Sequence, residues 1–145
     1  MVIGIVACSV GGMVMLGAGA PFYTGFAIPL AVIGMIQIMV GAIVARRSDF
    51  QADELEKLRE ESPAEFRELE QPRMTKVMRN FVRYKWAELV CILAGLALIL
   101  LNPETTFSKG LGAGLFAQGI VLLVFDYFAE KRGREYAAFV NQQPA

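Results

Sequence analysis

Apolar residues in this chain come in unbroken blocks and do not alternate with polar ones. No charged side chain occurs between Met1 and Ala45, between Leu89 and Leu101, or between Gly110 and Phe125. A helix needs ~20 mostly apolar residues to cross a bilayer. The first block is more than twice that length, and "GAGAPFYTG", residues 17–25, supplies the glycines and proline for a turn inside it. Four spans are predicted, at about 2–19, 22–45, 84–101 and 110–129. The expected fold is all-α, a polytopic membrane four-helix bundle. It has a transmembrane hairpin over 1–45, a charged helical cytoplasmic segment over 46–83, a second hairpin over 84–130 and a cytoplasmic tail over 131–145. A cleaved leader ending at Ala18-Gly19-Ala20 competes for the first block. No Lys or Arg precedes the block and Pro21 would follow the cut, so the hairpin is the better reading.

Between the hairpins the pattern turns charged and helical. Ser48 with Gln51 fits a capping box, opening a helix to about Glu61. Ser62, Pro63 and Glu65 repeat the signal, with proline at the first helical position. Pro72 is expected to open a further helix that runs unbroken into the third span. Phe50, Leu55, Leu58, Phe66 and Leu69 form narrow apolar stripes. Met74, Val77, Met78 and Phe81 mark one face of the next helix by their i, i+3, i+4, i+7 spacing. Lys76, Arg79 and Arg83 lie on another face. The tail "EYAAFVNQQPA" reads as a short frayed helix followed by disorder.

Inside the apolar blocks, small residues recur at intervals of seven, two helical turns apart and so on one face. Gly4 and Gly11 mark span one, Gly34 and Gly41 span two, and Gly112 and Gly119 span four, while Gly95 closes a small-xxx-small series in span three. Helices in lipid pack through such faces. Three polar residues share them: Gln37 lies between Gly34 and Gly41, Glu88 seven before Gly95, and Asp126 seven after Gly119. A rise of ~1.5 Å per residue puts each at ~20 Å from the periplasmic side, in one intramembrane polar layer. Ionisable residues in spans usually face the interior and find partners. The competing reading is interfacial anchoring, since Lys85 and Lys131 are close in sequence and Tyr84 and Trp86 mark a boundary. Gln118 can hydrogen-bond across helices.

Composition adds class and orientation. Of 145 residues, 55% are hydrophobic, above the range of a soluble domain. Net charge is zero, but residues 49–70 carry nine acids and three bases, and residues 73–85 five bases and no acid. Cations stay on the cytoplasmic side of membranes. Arg46, Arg47, Lys131, Arg132 and Arg134 flank the spans on the side of the basic stretch, and only Lys109 lies on the other. Both termini and the long central segment are therefore expected to be cytoplasmic. Arg73, Lys76, Arg79, Arg83 and Lys85 are expected to contact a partner or lipid headgroups. An adjacent acidic block disfavours nucleic acid as a partner. There is no histidine, and Cys8 and Cys91 lie in separate spans without metal-like spacing. No metal, cofactor or catalytic residue is expected, because no base stands near a Ser or Cys nucleophile.

"ARRSDFQ", "SPAEFRELEQPRMTKVMRNFVRYKWAEL" and "GLGAG…FDYFAEKRGREY" resemble small four-span bacterial inner-membrane proteins. These share an R-M-x-x-V-M-x-N-F run before the third span and an F-x-E-x-R-G-x-x-Y end. Such proteins look like immunity partners of interbacterial toxins, type VI effectors above all. The resemblance implies an interaction protein that binds a toxin, with no catalytic residues to carry over. Two other functions fit the residues. One is a cation- or proton-coupled transporter or channel using Glu88 and Asp126; the other is a structural or assembly subunit of a membrane complex. Membrane lipids are partners in every case, and a homo-oligomer is compatible with all three.

Overall fold

The computed structural model describes residues 2–17, 20–102, 104 and 106–144, with the side chains of all of these except 17 and 47–53. Among the described residues the chain forms four helices: α1 (Val2–Gly17), α2 (Pro21–Glu61), α3 (Pro63–Leu101) and α4 (Phe107–Asn141). Pro21–Arg46 within α2, together with α3 and α4, is long and apolar enough to cross a membrane. The 16 residues of α1 reach about 24 Å at the helical rise. Ala18 and Gly19, the expected end of the first span, lie outside the described residues, as do the side chains of Ser48, Phe50 and Gln51.

Two sequence signals for helix breaks are overridden. α2 runs through Ser48 without restarting. A capping box satisfies amide groups that lack a partner at a helix start. Here the preceding turns are already helical, so those amides are bonded four residues back. Pro72 lies inside α3, ten residues into it. An internal proline removes one hydrogen bond, to the carbonyl of Glu68. Glu68 and Pro72 are both exposed, so water can take up that carbonyl. The only break between Pro21 and Leu101 is Ser62, ahead of Pro63. The Ser62 amide still donates to Leu58 (2.8 Å), and its carbonyl accepts the first bond of α3 from Phe66 (3.0 Å). At the other end of α3, Asn102 Nδ2 caps the carbonyl of Leu98 at 2.7 Å.

The helices contribute to two compact units. The first joins residues 1–44 with 87–123, and the second joins 45–86 with 124–145. In the first unit the small residues are inside and the large apolar ones outside. Gly4, Ala7, Gly11, Ala27, Gly34 and Gly95 are buried, whereas Val6, Met13, Met35, Met39, Val90 and Leu93 are exposed. Helices of a water-soluble core bury their large side chains, and exposed apolar surface on this scale marks contact with lipid or protein.

Glycines set the helix pairings of this unit. A Cβ on Gly4 would stand 2.5 Å from the Gly34 carbonyl, and one on Gly11 3.2 Å from the Ala27 carbonyl, so α1 and α2 are antiparallel neighbours. A Cβ on Gly95 or Gly112 would lie 2.7 Å from the other's carbonyl, which pairs α3 with α4, also antiparallel. At Gly110 it would fall on the Phe22 carbonyl, and at Gly114 it would lie 2.5 Å from that of Phe26, so α2 and α4 run parallel. Backbones this close allow Cα–H···O contacts and dispersion that larger residues would prevent. Gly41 is half-buried.

The second unit has a more ordinary core. Phe66 and Met74 of α3 and Val140 of α4 are buried. Gly133 faces Met78 and Phe81. The tail is not frayed: α4 continues to Asn141, and Arg67 Nη1 donates to the carbonyl of Gln143 at 3.1 Å.

Candidate functional site

The polar residues of the first unit are few. Gln118 of α4 is almost fully buried, and its Nε2 donates to Oε1 of Gln37 on α2 at 3.1 Å. A hydrogen bond between helices in this setting contributes about 0.6 kcal/mol, up to ~1.7. Cys8 Sγ makes a weaker contact to the Ala31 carbonyl (3.6 Å). Glu88 of α3 is 6% exposed, and its carbonyl would lie 3.5 Å from a Cβ on Gly119. Of the expected polar layer, Gln37 and Glu88 belong to the first unit and Asp126, half-buried, to the second. The hydrogen bond that Gln37 makes is with Gln118.

Two buried glutamates in the second unit form clamps between α3 and α4. Glu70, 2% exposed, takes Arg73 Nε on one oxygen at 2.8 Å and the Tyr136 hydroxyl on the other at 3.2 Å. Burial pushes the Tyr136 hydroxyl above its ordinary pKa, and the negative charge of Glu70 and the hydrogen bond to it push the same way. Arg73 and Arg59 partly oppose them. Glu130, likewise buried, pairs with Lys85 of α3 and with Arg134 one turn along α4 at 2.7 Å. A carboxylate removed from water costs several kcal/mol unless cations or donors compensate it. Both clamps supply that compensation from the facing helix as well as from their own.

The seven-residue pattern of the spans also runs through this unit. The seven-residue series Gly112, Gly119, Asp126 continues to Gly133 and Val140, and Glu130 lies three before Gly133, on the same face. Glu70 lies four after Phe66 and four before Met74, inside an apolar stripe. That placement is the signal by which both could have been found.

The five basic residues 73–85 divide. Arg73 and Lys85 hold the two buried glutamates, while Lys76, Arg79 and Arg83 are exposed. On the acidic side, Glu54, Glu56, Glu60, Glu61, Glu65 and Glu68 are all exposed. No group of three or more His, Cys, Asp or Glu among the described residues could hold a metal ion.

The fold and these clusters define an all-helical protein whose apolar helices also carry a charged unit in which two buried glutamates are paired with more exposed cations. No protein-family model, curated protein or solved structure matches the chain.

Proposed function

We propose that the chain is a four-span protein of a bacterial inner membrane and acts there as an interaction protein, an immunity partner that neutralises a cognate interbacterial toxin. The three long apolar helices support the membrane reading, with α1 as a shorter fourth span packed on α2. The distribution of cations supports cytoplasmic termini and a cytoplasmic second unit. The observation that carries the interaction reading is the set of six exposed glutamates between Glu54 and Glu68, a strongly acidic surface on a unit whose fold is maintained by other charges. A basic protein partner fits that surface by charge.

In a strain that carries the neighbouring toxin gene, deleting the gene for this chain should cause self-intoxication, and a plasmid copy should restore growth. A copy with Glu60→Lys, Glu61→Lys, Glu65→Lys and Glu68→Lys that is still recovered in membranes should not restore it. Healthy deletion cells, or full rescue by the charge-reversed copy, would overturn the proposal.

Burial of Glu88 in an apolar helix favours a second reading, a cation- or proton-coupled transporter. Flux in proteoliposomes that is abolished by Glu88→Gln with Asp126→Asn would favour it over the first.

A further inference from the structure

Lys76, Arg79 and Arg83 stand at i, i+3 and i+7, on one face of α3 and within ~10 Å of rise. All three are exposed, and among the described residues none has an ion-pair partner. They line an open hollow of about 670 Å³ in the second unit, with Gln71 and Asn80 as further donors and no carboxylate among the described residues around it. Lys and Arg donate hydrogen bonds and accept none, so the hollow is built to meet an anion.

Its position along α3 says which anion. Tyr84 and Trp86 follow directly and are exposed at 54% and 65%. Beyond them, Leu89 to Leu101 is uncharged, and Leu89, Val90 and Leu93 are exposed. Exposed aromatics between a basic and an apolar stretch are the pattern of a membrane–water boundary. By helical rise Arg83 lies ~9 Å before Leu89, Arg79 ~15 Å and Lys76 ~20 Å. The headgroup layer is ~5–8 Å deep on each side of the hydrocarbon. By backbone position Arg83 therefore stands ~1–4 Å beyond the headgroups and reaches them with its side chain, Arg79 ~7–10 Å beyond and reaches them only when extended, and Lys76, ~12–15 Å beyond, lies past the screening length of ~8–10 Å and contributes least.

We propose that this face of α3 binds the headgroups of anionic phospholipids. The proposal rests on the reading that α3 crosses a membrane. It makes a graded demand: the contribution falls from Arg83 to Arg79 to Lys76, whereas an anion seated in the hollow itself would depend most on the central Arg79.

Trp86 is the single tryptophan and lies three residues from Arg83, so its fluorescence reports the site. The full chain in neutral detergent micelles is titrated with brominated phosphatidylglycerol and, separately, brominated phosphatidylcholine. The anionic lipid should quench at several-fold lower mole fraction. Arg83→Gln should cut that preference about five-fold, near the full effect of one basic residue at an anionic surface, with Arg79→Gln less and Lys76→Gln least. Salt at roughly 1 M, where screening shortens to ~3 Å, should remove it. Equal quenching by the two lipids overturns the proposal. So does a preference abolished by millimolar inorganic phosphate, or one most sensitive to Arg79→Gln. A chain that stays soluble without detergent would remove the membrane reading together with this one. A chain that withstands an alkaline membrane wash but shows no lipid preference would remove this one alone.

Discussion

Single residues in the first unit act mainly through the atoms they lack. At Gly110 a methyl group would land on the Phe22 carbonyl of α2, which cannot rotate away as a side chain could. Gly12 of α1 has nothing within 4 Å of the corresponding point. The two glycines should therefore respond oppositely to the same change. Gly110→Ala should destabilise by about 1–3 kcal/mol, the cost of overpacking. Gly12→Ala should be neutral or stabilise by up to ~1 kcal/mol, because alanine is the better helix former. Thermal unfolding of the two variants in the same detergent tests this, and equal losses would contradict the close α2–α4 contact. The seven-residue spacing of Gly4, Gly34 and Gly112, and the small-xxx-small series that Gly95 closes, made their inward position legible. Gly25, Gly110 and Gly114 escaped it because they read as turn and helix-start residues, whereas in the structure they serve the parallel α2–α4 pairing.

At the scale of elements, α3 and α4 of the second unit are joined by charges where most helix pairs are joined by apolar surface alone. Tyr136 gives this a pH signature. Its folded pKa is raised, so the folded state holds the phenolic proton more tightly than the unfolded one. Its contribution is thus complete below the ordinary tyrosine value of about 10 and is lost as pH rises from there through the folded value. Unfolding followed across this alkaline range should show stability falling faster in the natural chain than in Tyr136→Phe, and parallel profiles would exclude a role for the proton. Helix type and most boundaries were legible in the sequence, including the start of α3 at Pro63. The restarts expected at Ser48 and Pro72 failed for a common reason. Local capping and breaking signals add about 1–3 kcal/mol each, and a long helix already committed by its flanking turns, and around Pro72 by burial of Phe66 and Met74, outweighs them. The inward position of Glu70 and Glu130 is written in the apolar series they interrupt, whereas their partners Tyr136 and Lys85 lie on the facing helix and no local pattern names them.

For the whole molecule, the decisive matter is on which side of a membrane each turn lies. Under the proposed topology, with cytoplasmic termini, Thr106, between α3 and α4, would face the periplasm and Ser62, between α2 and α3, the cytoplasm. With Cys8 and Cys91 replaced by alanine, Thr106→Cys should react with a membrane-impermeant thiol reagent in intact cells, and Ser62→Cys only after permeabilisation. The reverse pattern would invert the topology, and labelling of both from outside would remove α3 as a span. At this scale the residues made legible the long apolar helices but not the way distant segments join. The union of residues 124–145 with 45–86 in one unit depends on contacts such as Arg67 with Gln143, 76 positions apart, and no local pattern encodes those.

The joint at Ser62 has one more consequence. Between Pro21 and Leu101 the backbone leaves the helix at a single residue, and a proline follows it at once. Proteases cut where a loop tip offers exposed, extended backbone. This stretch offers one residue, with an imide bond beside it. Resistance to nicking at this joint is thus written into the turn itself, and cleavage there has to begin by melting the end of α2 or the start of α3.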